Sequence, residues 1–459
     1  MRRILENGLS EWFRNPRRKP LILRGARQVG KSTLIRNFAR QQQLQLIEIN
    51  LERHPRLNDI FKTNAPQKIF FELEALTGQN LHTEKTLLFL DEIQATPYAL
   101  AALRYLHEDF PDIPIVSAGS LLEFVLASHN FSMPVGRIEY LHLGPMTFIE
   151  FLWAMNENDL SNIIQNYQLG QPFASIAHER LLERQRQFLF IGGMPESILA
   201  YSQTKSLLEA RKIHRTIIQT YQDDFPKYSP ADRTRNMVQK TLDACPRIIG
   251  KKMKFTQISR DDRANEIRSA VDILIKARLL LPVYHTDCSG IPLKSTQDDQ
   301  VYKVYFLDVG LFNYLCGLEW SDIAQLGERE LINEGVLAEQ FVAQHLAYRQ
   351  DGTEKPQINY WLRESKTQNA EVDFVISKGK KIIPIEVKAG KSGSLRSLQH
   401  LILAKNIKSA LRLDLNLPSQ QAVEHHLTGP AHSGLSVSFN LISFPLYFAQ
   451  EISRIVSKL

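Results

Sequence analysis

The sequence predicts an α/β protein: a parallel sheet, then a mostly helical stretch, then a second α/β part. Three observations lead there. In residues 1–155 short apolar runs alternate with helix-period segments, the mark of a parallel sheet covered on both faces. A glycine-rich turn joins the first run to the first helix. From residue 300 onward a helix, three strands, a helix and another strand follow in order.

The elements read as follows. KPLILRGA (19–26) is a buried strand, and KSTLIRNFARQQ (31–42) the helix after the turn. LQLIEINL (44–51), TLLFLDEI (86–93) and IPIVSAGS (113–120) are three further strands. Residues 156–225 are mainly helical and are interrupted by IGGMPES (191–197). Residues 235–292 run helix (RNMVQKTLDACP), short segment (KFTQIS), amphipathic helix (ANEIRSAVDILIKA), strand (LLLPVYHT), turn (DCSG), strand. That order suggests a winged helix-turn-helix unit. KVYFLDVGLF opens the last part. EGVLAEQFVAQHLAYR is its first helix, QINYWLR, AEVDFVIS and KIIPIEVK are strands, LRSLQHLILAK is a helix and SALRLDL a strand. HSGLS (432–436) is a loop. The expected domains are 1–155, 156–234 (helical lid), 235–298 (winged-helix-like) and 299–459.

Composition bounds the function classes. Of 459 residues, 43% are hydrophobic and 23% charged, ordinary for a folded globular chain and unlike a disordered or fibrous one. No apolar run reaches the length of a membrane-spanning helix, and the N-terminus has no apolar segment of the secretory kind. Three scattered cysteines, Cys245, Cys288 and Cys316, argue against a disulfide frame or a zinc site and fit a reducing compartment. A cytoplasmic location with no membrane partner is expected. The net charge of +7 is uneven: residues 1–40 carry eleven Lys/Arg against two Glu, and 226–280 carry thirteen against six Asp/Glu. Two basic blocks of this kind attract phosphate, in a nucleotide or a nucleic acid.

Residues 25–32, GARQVGKS, match G-x-x-x-x-G-K-[ST] between a strand and a helix, the context that the motif requires. Gly25 and Gly30 let the backbone curl so that N–H groups face a β-phosphate, and the helix N-terminus adds a positive dipole end. Lys31 reaches the β- and γ-phosphates, and the Ser32 hydroxyl joins a Mg²⁺ shell. Gly25, Ala26, Arg27, Gln28, Val29, Gly30, Lys31, Ser32 and Thr33 are the candidate nucleotide-binding set, with ATP and Mg²⁺ as cofactors. Farther on, TLLFLDE ends a strand on two carboxylates: Asp91 to hold Mg²⁺ and Glu92 to polarise the attacking water. Ser120, at the next strand's end, is a candidate sensor of the γ-phosphate or the water. Arg137, after the loop that ends PVGR, is a candidate arginine finger, in its own subunit or from a neighbour.

With these motifs in view, the sequence resembles the prokaryotic AAA-family ATPases that carry a C-terminal domain of uncertain function. RGARQVGKSTL, LLFLDEIQ, AGSLLEF and PVGRIEYLHLGPMTFIEFL carry the resemblance, and IGGMPES, VYFLDVGLFNYL and GVLAEQFV extend it over nearly the whole chain. It implies nucleotide binding by Gly25, Gly30, Lys31 and Ser32, and service to Mg²⁺ and water by Asp91 and Glu92.

In the last part, Asp373 lies on one strand, and Glu386 and Lys388 lie on the next, two apart and so on one sheet face. Glu339 is on the preceding helix. This order of helix Glu, strand Asp, strand Glu-x-Lys, then helix resembles the PD-(D/E)xK nucleases, except that no proline precedes Asp373. Asp373 and Glu386 with a carbonyl can hold a second Mg²⁺, Glu339 could complete its shell, and Lys388 could stabilise or activate a water; many members of the nuclease superfamily keep the fold after losing activity. In the middle, Lys251, Lys252, Lys254, Arg260, Arg263 and Arg268 crowd the winged unit and could meet DNA phosphates, while Ile267, Val271, Leu274 and Ile275 must face a core.

The sequence therefore points to a Mg²⁺-dependent ATPase whose hydrolysis drives a conformational change, with DNA as a candidate partner. The alternative is a nucleotide-gated interaction module that docks a protein partner or a second copy, its nuclease-like part inactive. A nucleotide sensor without turnover is a third reading.

Overall fold

The structure, a computed structural model, describes every residue except 82–84, 121, 125–135, 229–230, 325–333, 349–351, 365–368, 391–393, 427–435 and 458–459. Most of the HSGLS loop and the loop before Gly136 lie outside the described residues. The chain forms two compact units. The first comprises Met1–Pro145, Asp272–Leu279 and Gln350–Pro356, and the second the remainder.

The first unit is built on a parallel sheet of five strands: β1 (Leu21–Arg24), β2 (Gln45–Asn50), β3 (Thr86–Asp91), β4 (Ile115–Gly119) and β5 (Glu139–His142), in the order β2-β3-β4-β1-β5. β3 and β4 are buried throughout, whereas edge strand β2 alternates toward solvent. This is why the central strands read as unbroken apolar runs. Helices Lys31–Gln41, Leu57–Lys62, Pro66–Thr77 and Pro97–Asp109 belong to this unit. Ile22, Ile47, Ile49, Leu88 and Leu90 pack with Phe61, Phe70, Leu103 and Leu106 in one core. Four strands follow the sequence expectation. β5 does not, because its four residues (EYLH) are too short and too polar to stand out.

The second unit holds an eight-stranded mixed sheet. Its strands are β6 (Leu280–Thr286), β7 (Gln297–Phe306), β8 (Ile358–Arg363), β9 (Ala370–Lys378), β10 (Lys381–Val387), β11 (Ser409–Asp414), β12 (Ser419–His426) and β13 (Ser436–Pro445), ordered β12-β13-β11-β10-β9-β8-β6-β7. Helix Arg396–Lys405 packs through Leu398, Leu401 and Ile402 against Val372, Val375 and Leu441 of the sheet. The unit also contains helices Phe148–Ala154, Ser175–Ile191, Pro195–Thr204 and Leu207–Asp223. Phe188 stands edge-on to Phe148, Phe151 and Phe341, with ring centroids 5.8, 5.4 and 5.8 Å away.

Three features differ from the sequence reading. The expected wing, β6 and β7, is an antiparallel hairpin, but β6 also pairs in parallel with β8 (Val283 with Ile358), so the hairpin continues the large sheet. Residue 298, the expected boundary, falls inside β7. Helix Phe148–Ala154 lies in the second unit, where the Phe148 N–H donates to His345 Nε2 at 2.8 Å. Local periodicity cannot supply strand partners, since a strand's pattern does not name its neighbour.

The IGG break in the helical stretch has a definite cause. Gly192 adopts φ +73° and ends helix Ser175–Ile191. Any Cβ on it would overlap Asp308 Oδ1, and one on Gly193 would overlap the Met146 carbonyl oxygen. The fully buried Asp308 accepts from Gly193 N at 2.5 Å and from Leu311 N at 3.1 Å, which caps helix Val309–Leu315. No described helix is long and apolar enough to cross a membrane.

Candidate nucleotide site and the carboxylate cluster

The glycine loop leaves β1 and is held on both sides. The Leu143 N–H donates to the Arg24 carbonyl at 2.7 Å, and a Cβ on Gly25 would overlap the Leu143 carbonyl oxygen. Glycine is the residue that fits there. Ala26 and Val29 are buried anchors. Gln28 and Gly30 take positive φ (+63° and +93°), which turns the chain into helix Lys31–Gln41. The guanidinium of Arg3, itself buried, donates to the Val29 carbonyl at 2.9 Å and the Gly144 carbonyl at 2.8 Å, bracing the loop from the N-terminal segment. Thr33 is exposed on the first helical turn.

Lys31 folds back into its own loop. Its Nζ donates to the carbonyls of Ala26 (2.7 Å) and Gly25 (3.1 Å). Burial lowers its ammonium to a pKa of about 8, against the attraction of Glu92 and Asp91, and Arg278 and Arg27 add to the lowering. A buried ammonium whose hydrogen bonds go to two carbonyl oxygens can exchange them for the oxygens of an anion. The Ser32 hydroxyl donates to Asp91 Oδ2 at 2.7 Å, joining the loop to the end of β3. Burial holds the Asp91 carboxyl above the usual carboxylate range.

Glu92 follows in the left-handed region (φ +52°), its N–H on Asp91 Oδ1 at 3.1 Å. Its Oε2 accepts from Gln94 Nε2 at 2.6 Å. Ser120, nearly buried, sits just past the end of β4, which lies between β3 and β1. The carboxyl ends of three neighbouring strands thus carry Lys31 and Ser32, Asp91 and Glu92, and Ser120, the edge where open α/β sheets bind ligands.

Arg137 is placed differently. It precedes β5, whose first residue, Glu139, pairs with Leu21, the first residue of β1. The phosphate loop follows the last residue of β1, so the strand's length, about 13 Å, separates the two. Arg137 Nε instead meets Glu108 at 3.5 Å, near the C-terminal end of helix Pro97–Asp109. This geometry does not support the in-subunit finger role.

The sequence reading missed a second cationic group near the loop. Glu123 accepts from Arg24 at 2.5 Å and from Arg278 at 2.8 Å, and Arg278 also reaches His142 Nδ1 at 3.2 Å. Burial would raise Glu123, but Arg278 and Arg24 outweigh it and hold the carboxylate low. Burial, then Arg278 and Arg24, press His142 down to about 3, so it stays neutral. Arg278 lies far along the chain from the loop, and only its charge and its position after an amphipathic helix could have marked it.

In the second unit, β9, β10 and helix Glu334–Ala347 do bring Glu339, Asp373, Glu386 and Lys388 into one neighbourhood. Asp373 Oδ2 accepts from Val387 N at 2.7 Å, and Glu386 Oε1 accepts from Lys388 Nζ at 2.6 Å. Unforeseen is Lys303 on β7, fully buried, with its ammonium on Glu371 and 3.8 Å from Glu339. The hydroxyl of Tyr305 donates to Glu339 Oε2 at 2.6 Å. Burial holds Glu339, Asp373 and Glu386 above the carboxylate range. Burial alone would depress Lys303, but Glu339, Glu371 and Asp373 outweigh it and raise it. Among the described residues, no group of three or more His, Cys, Asp or Glu side chains is arranged to hold a metal ion. One oxygen of each carboxylate of the expected second site is engaged from within, Glu339 Oε2 by the Tyr305 hydroxyl, Asp373 Oδ2 by the Val387 amide and Glu386 Oε1 by Lys388, while Glu386 Oε2 is buried with no hydrogen-bond partner.

Known proteins can be set beside this geometry. Residues 17–152 match an AAA domain. The matched span starts just before β1 and contains the phosphate loop, Asp91, Glu92 and Ser120. Residues 182–322 match a domain of unknown function, DUF8612, and residues 334–423 another, DUF4143. An uncharacterized protein of Methanocaldococcus jannaschii is 25% identical over 431 residues, covering 88% of this chain and 83% of its own. Among solved structures, the chain is similar to Aeropyrum pernix ORC2 (12% identity, TM-score 0.37, 70% of this chain and 93% of that one). It is also similar to the Thermotoga maritima RuvB Holliday junction branch migration motor (15%, TM-score 0.27, 62% and 87%).

Outside the AAA domain, the basic residues of the middle stretch divide in two. Lys251, Lys254, Arg260, Arg263 and Arg268 are exposed. Lys252 is engaged by Glu364 at 2.7 Å, and Arg268 lies 5.6 Å from the ring centre of Phe255. On helix Ala264–Lys276, Ile267, Val271 and Leu274 are buried as expected, and Ile275 is half-buried.

Proposed function

We propose that the AAA domain binds ATP at the loop 25–32 and hydrolyses it to ADP and phosphate with Mg²⁺. The observation that carries the reading is the 2.7 Å contact of Ser32 with Asp91. It sets a hydroxyl and a carboxylate side by side at the mouth of a loop whose buried lysine hydrogen-bonds to carbonyl oxygens. Hard oxygen donors of this kind suit Mg²⁺. Ser32 and Asp91 would hold the ion, which would supply positive charge to offset the negative charge that develops on the phosphoryl group in transfer.

The chain's own groups do the rest. The loop amides and the start of helix Lys31–Gln41 receive the phosphates. Lys31 exchanges the Gly25 and Ala26 carbonyls for phosphate oxygens. Glu92 orients a water on the γ-phosphorus and accepts its proton as the bond to the β-phosphate oxygen breaks. Ser120 holds the water or a γ-oxygen. Arg137 contributes from a neighbouring copy. Steady-state phosphate release by the full chain tests the reading. Lys31→Ala should abolish nucleotide binding, and Glu92→Gln should keep binding while losing turnover. A wild-type chain that turns over neither ATP nor GTP removes the proposal.

We further propose that hydrolysis is coupled to conformational change and that the exposed basic residues near Arg260 contact DNA phosphates. The support is a run of five exposed cations within 18 residues. Duplex binding should weaken steeply with salt and be halved or worse by reversing Arg260 and Arg263 to Glu. Salt-independent binding or none counts against it. For the cluster around Lys303, internal charge balance is favoured over metal-dependent cleavage. Mn²⁺ binding that disappears in Asp373→Asn would reverse that preference.

A further inference from the structure

The carboxylate of Glu92 is clamped by a residue that no phosphate contact would select. Gln94 lies in the turn Ile93–Ala95, two residues beyond Glu92, and its Nε2 donates to Glu92 Oε2 at 2.6 Å. The other end of the same carboxamide points elsewhere. Gln94 Oε1 is buried and has no hydrogen-bond partner. It rests against the backbone of Gly119, the last residue of β4: a Cβ on Gly119 would overlap Oε1 and come within 3.4 Å of Cδ.

A single planar group therefore spans from the base at the end of β3 to the residue before Ser120 at the end of β4. A planar amide wedged at both ends cannot turn without moving one of them. Leaving a buried carbonyl oxygen unsatisfied is unfavourable, so the arrangement persists because the surroundings impose it. Gly119 is then required by space, since its missing side chain is what admits the carboxamide.

We infer that Gln94 is a positioning residue: its carboxamide, seated on Gly119, fixes the direction of the Glu92 carboxylate toward the attacking water. The inference rests on the ATPase reading above and adds to it a residue that need not touch nucleotide.

The test uses the full-length chain and two measurements, steady-state ATP turnover and affinity for a fluorescent ATP analogue. Gln94→Met keeps the length and bulk of the side chain and removes the donor. It should lower kcat by 10-fold or more while KM and analogue affinity stay within about threefold. Gly119→Ala should lower kcat similarly by displacing the carboxamide, again with affinity retained. In the double variant Gly119→Ala should lower kcat little further, because the donor that it would pull away from Glu92 is already absent. A Gln94→Met chain with wild-type kcat, or Gly119→Ala and Gln94→Met effects that simply multiply, overturns the inference. Wild-type turnover that Glu92→Gln abolishes, alongside an unaffected Gln94→Met, sinks the inference alone. No wild-type turnover sinks the ATPase reading with it.

Discussion

The Ser32 hydroxyl donates to Asp91 Oδ2 across 2.7 Å, although 59 residues of chain separate the two. Two motifs that are unrelated in sequence become one site because β1 and β3 flank β4 in the same parallel sheet. Asp91→Asn keeps the shape but gives up the negative charge. It should cut kcat about 100-fold, and Ser32→Ala about 10-fold, in phosphate-release assays with Mg²⁺. Wild-type rates in Asp91→Asn would remove this pair from the site.

If Lys31 receives the phosphates as proposed, ATP binding should be proton-linked. Its ammonium stands at about 8 in the free site. Triphosphate oxygens favour the charged form and raise it, so binding near pH 8 takes up protons, about half of one per site. Calorimetry in buffers of different ionisation enthalpy measures this directly. Lys31→Arg cannot lose its proton and should show no uptake. Proton release on binding would contradict the assignment.

Gly192 holds a left-handed turn against Asp308 Oδ1. Gly192→Ala meets both the conformational penalty and the overlap. A loss of about 2–4 kcal/mol is expected in urea or thermal unfolding. A variant as stable as wild type would show that the neighbourhood yields more easily than its packing implies.

Asp308 sets a pH dependence on stability. Burial raises its carboxyl to about 6, against donations from Gly193, Leu311 and Gln344. The folded chain therefore holds this proton more tightly than the unfolded chain, whose Asp titrates near 4. The contribution is fully present below about pH 4 and is lost as pH rises to 6, a change of at most about 3 kcal/mol. Asp308→Asn should flatten the unfolding free energy between pH 4 and 6. An equally steep profile in that variant would assign the slope to other groups.

Arg137 sits at the opposite strand ends from the phosphate loop, so a catalytic role requires a second copy. Arg137→Ala and Glu92→Gln, each inactive alone, should regain part of the turnover when mixed, because one supplies the missing arginine and the other the missing base. Mixtures no more active than their parts would leave Arg137 as the surface partner of Glu108.

Much of the first unit was legible from residue order. Gly25, Gly30, Lys31 and Ser32 announce a phosphate loop because curled amides need glycine and the phosphates need a cation at fixed offset. β3 and β4 announce burial because apolar runs lie between layers. The polar pair Asp91 and Glu92 stands out only because such a run ends on it. β5 and the hairpin β6–β7 were less legible, since short or alternating strands do not say which strand they join.

What residue order by itself determined is local: a strand, a curled loop with its lysine, and carboxylates at a strand's end, each set by backbone geometry within a few residues. What tertiary structure alone decided is partnership. It placed Arg278 and Arg24 on Glu123, buried Lys303 among Glu339, Glu371 and Asp373, and put Arg137 at the opposite strand ends from the loop. Charge acts through space at distances set by the folded sheet, and separation along the chain carries no measure of those distances.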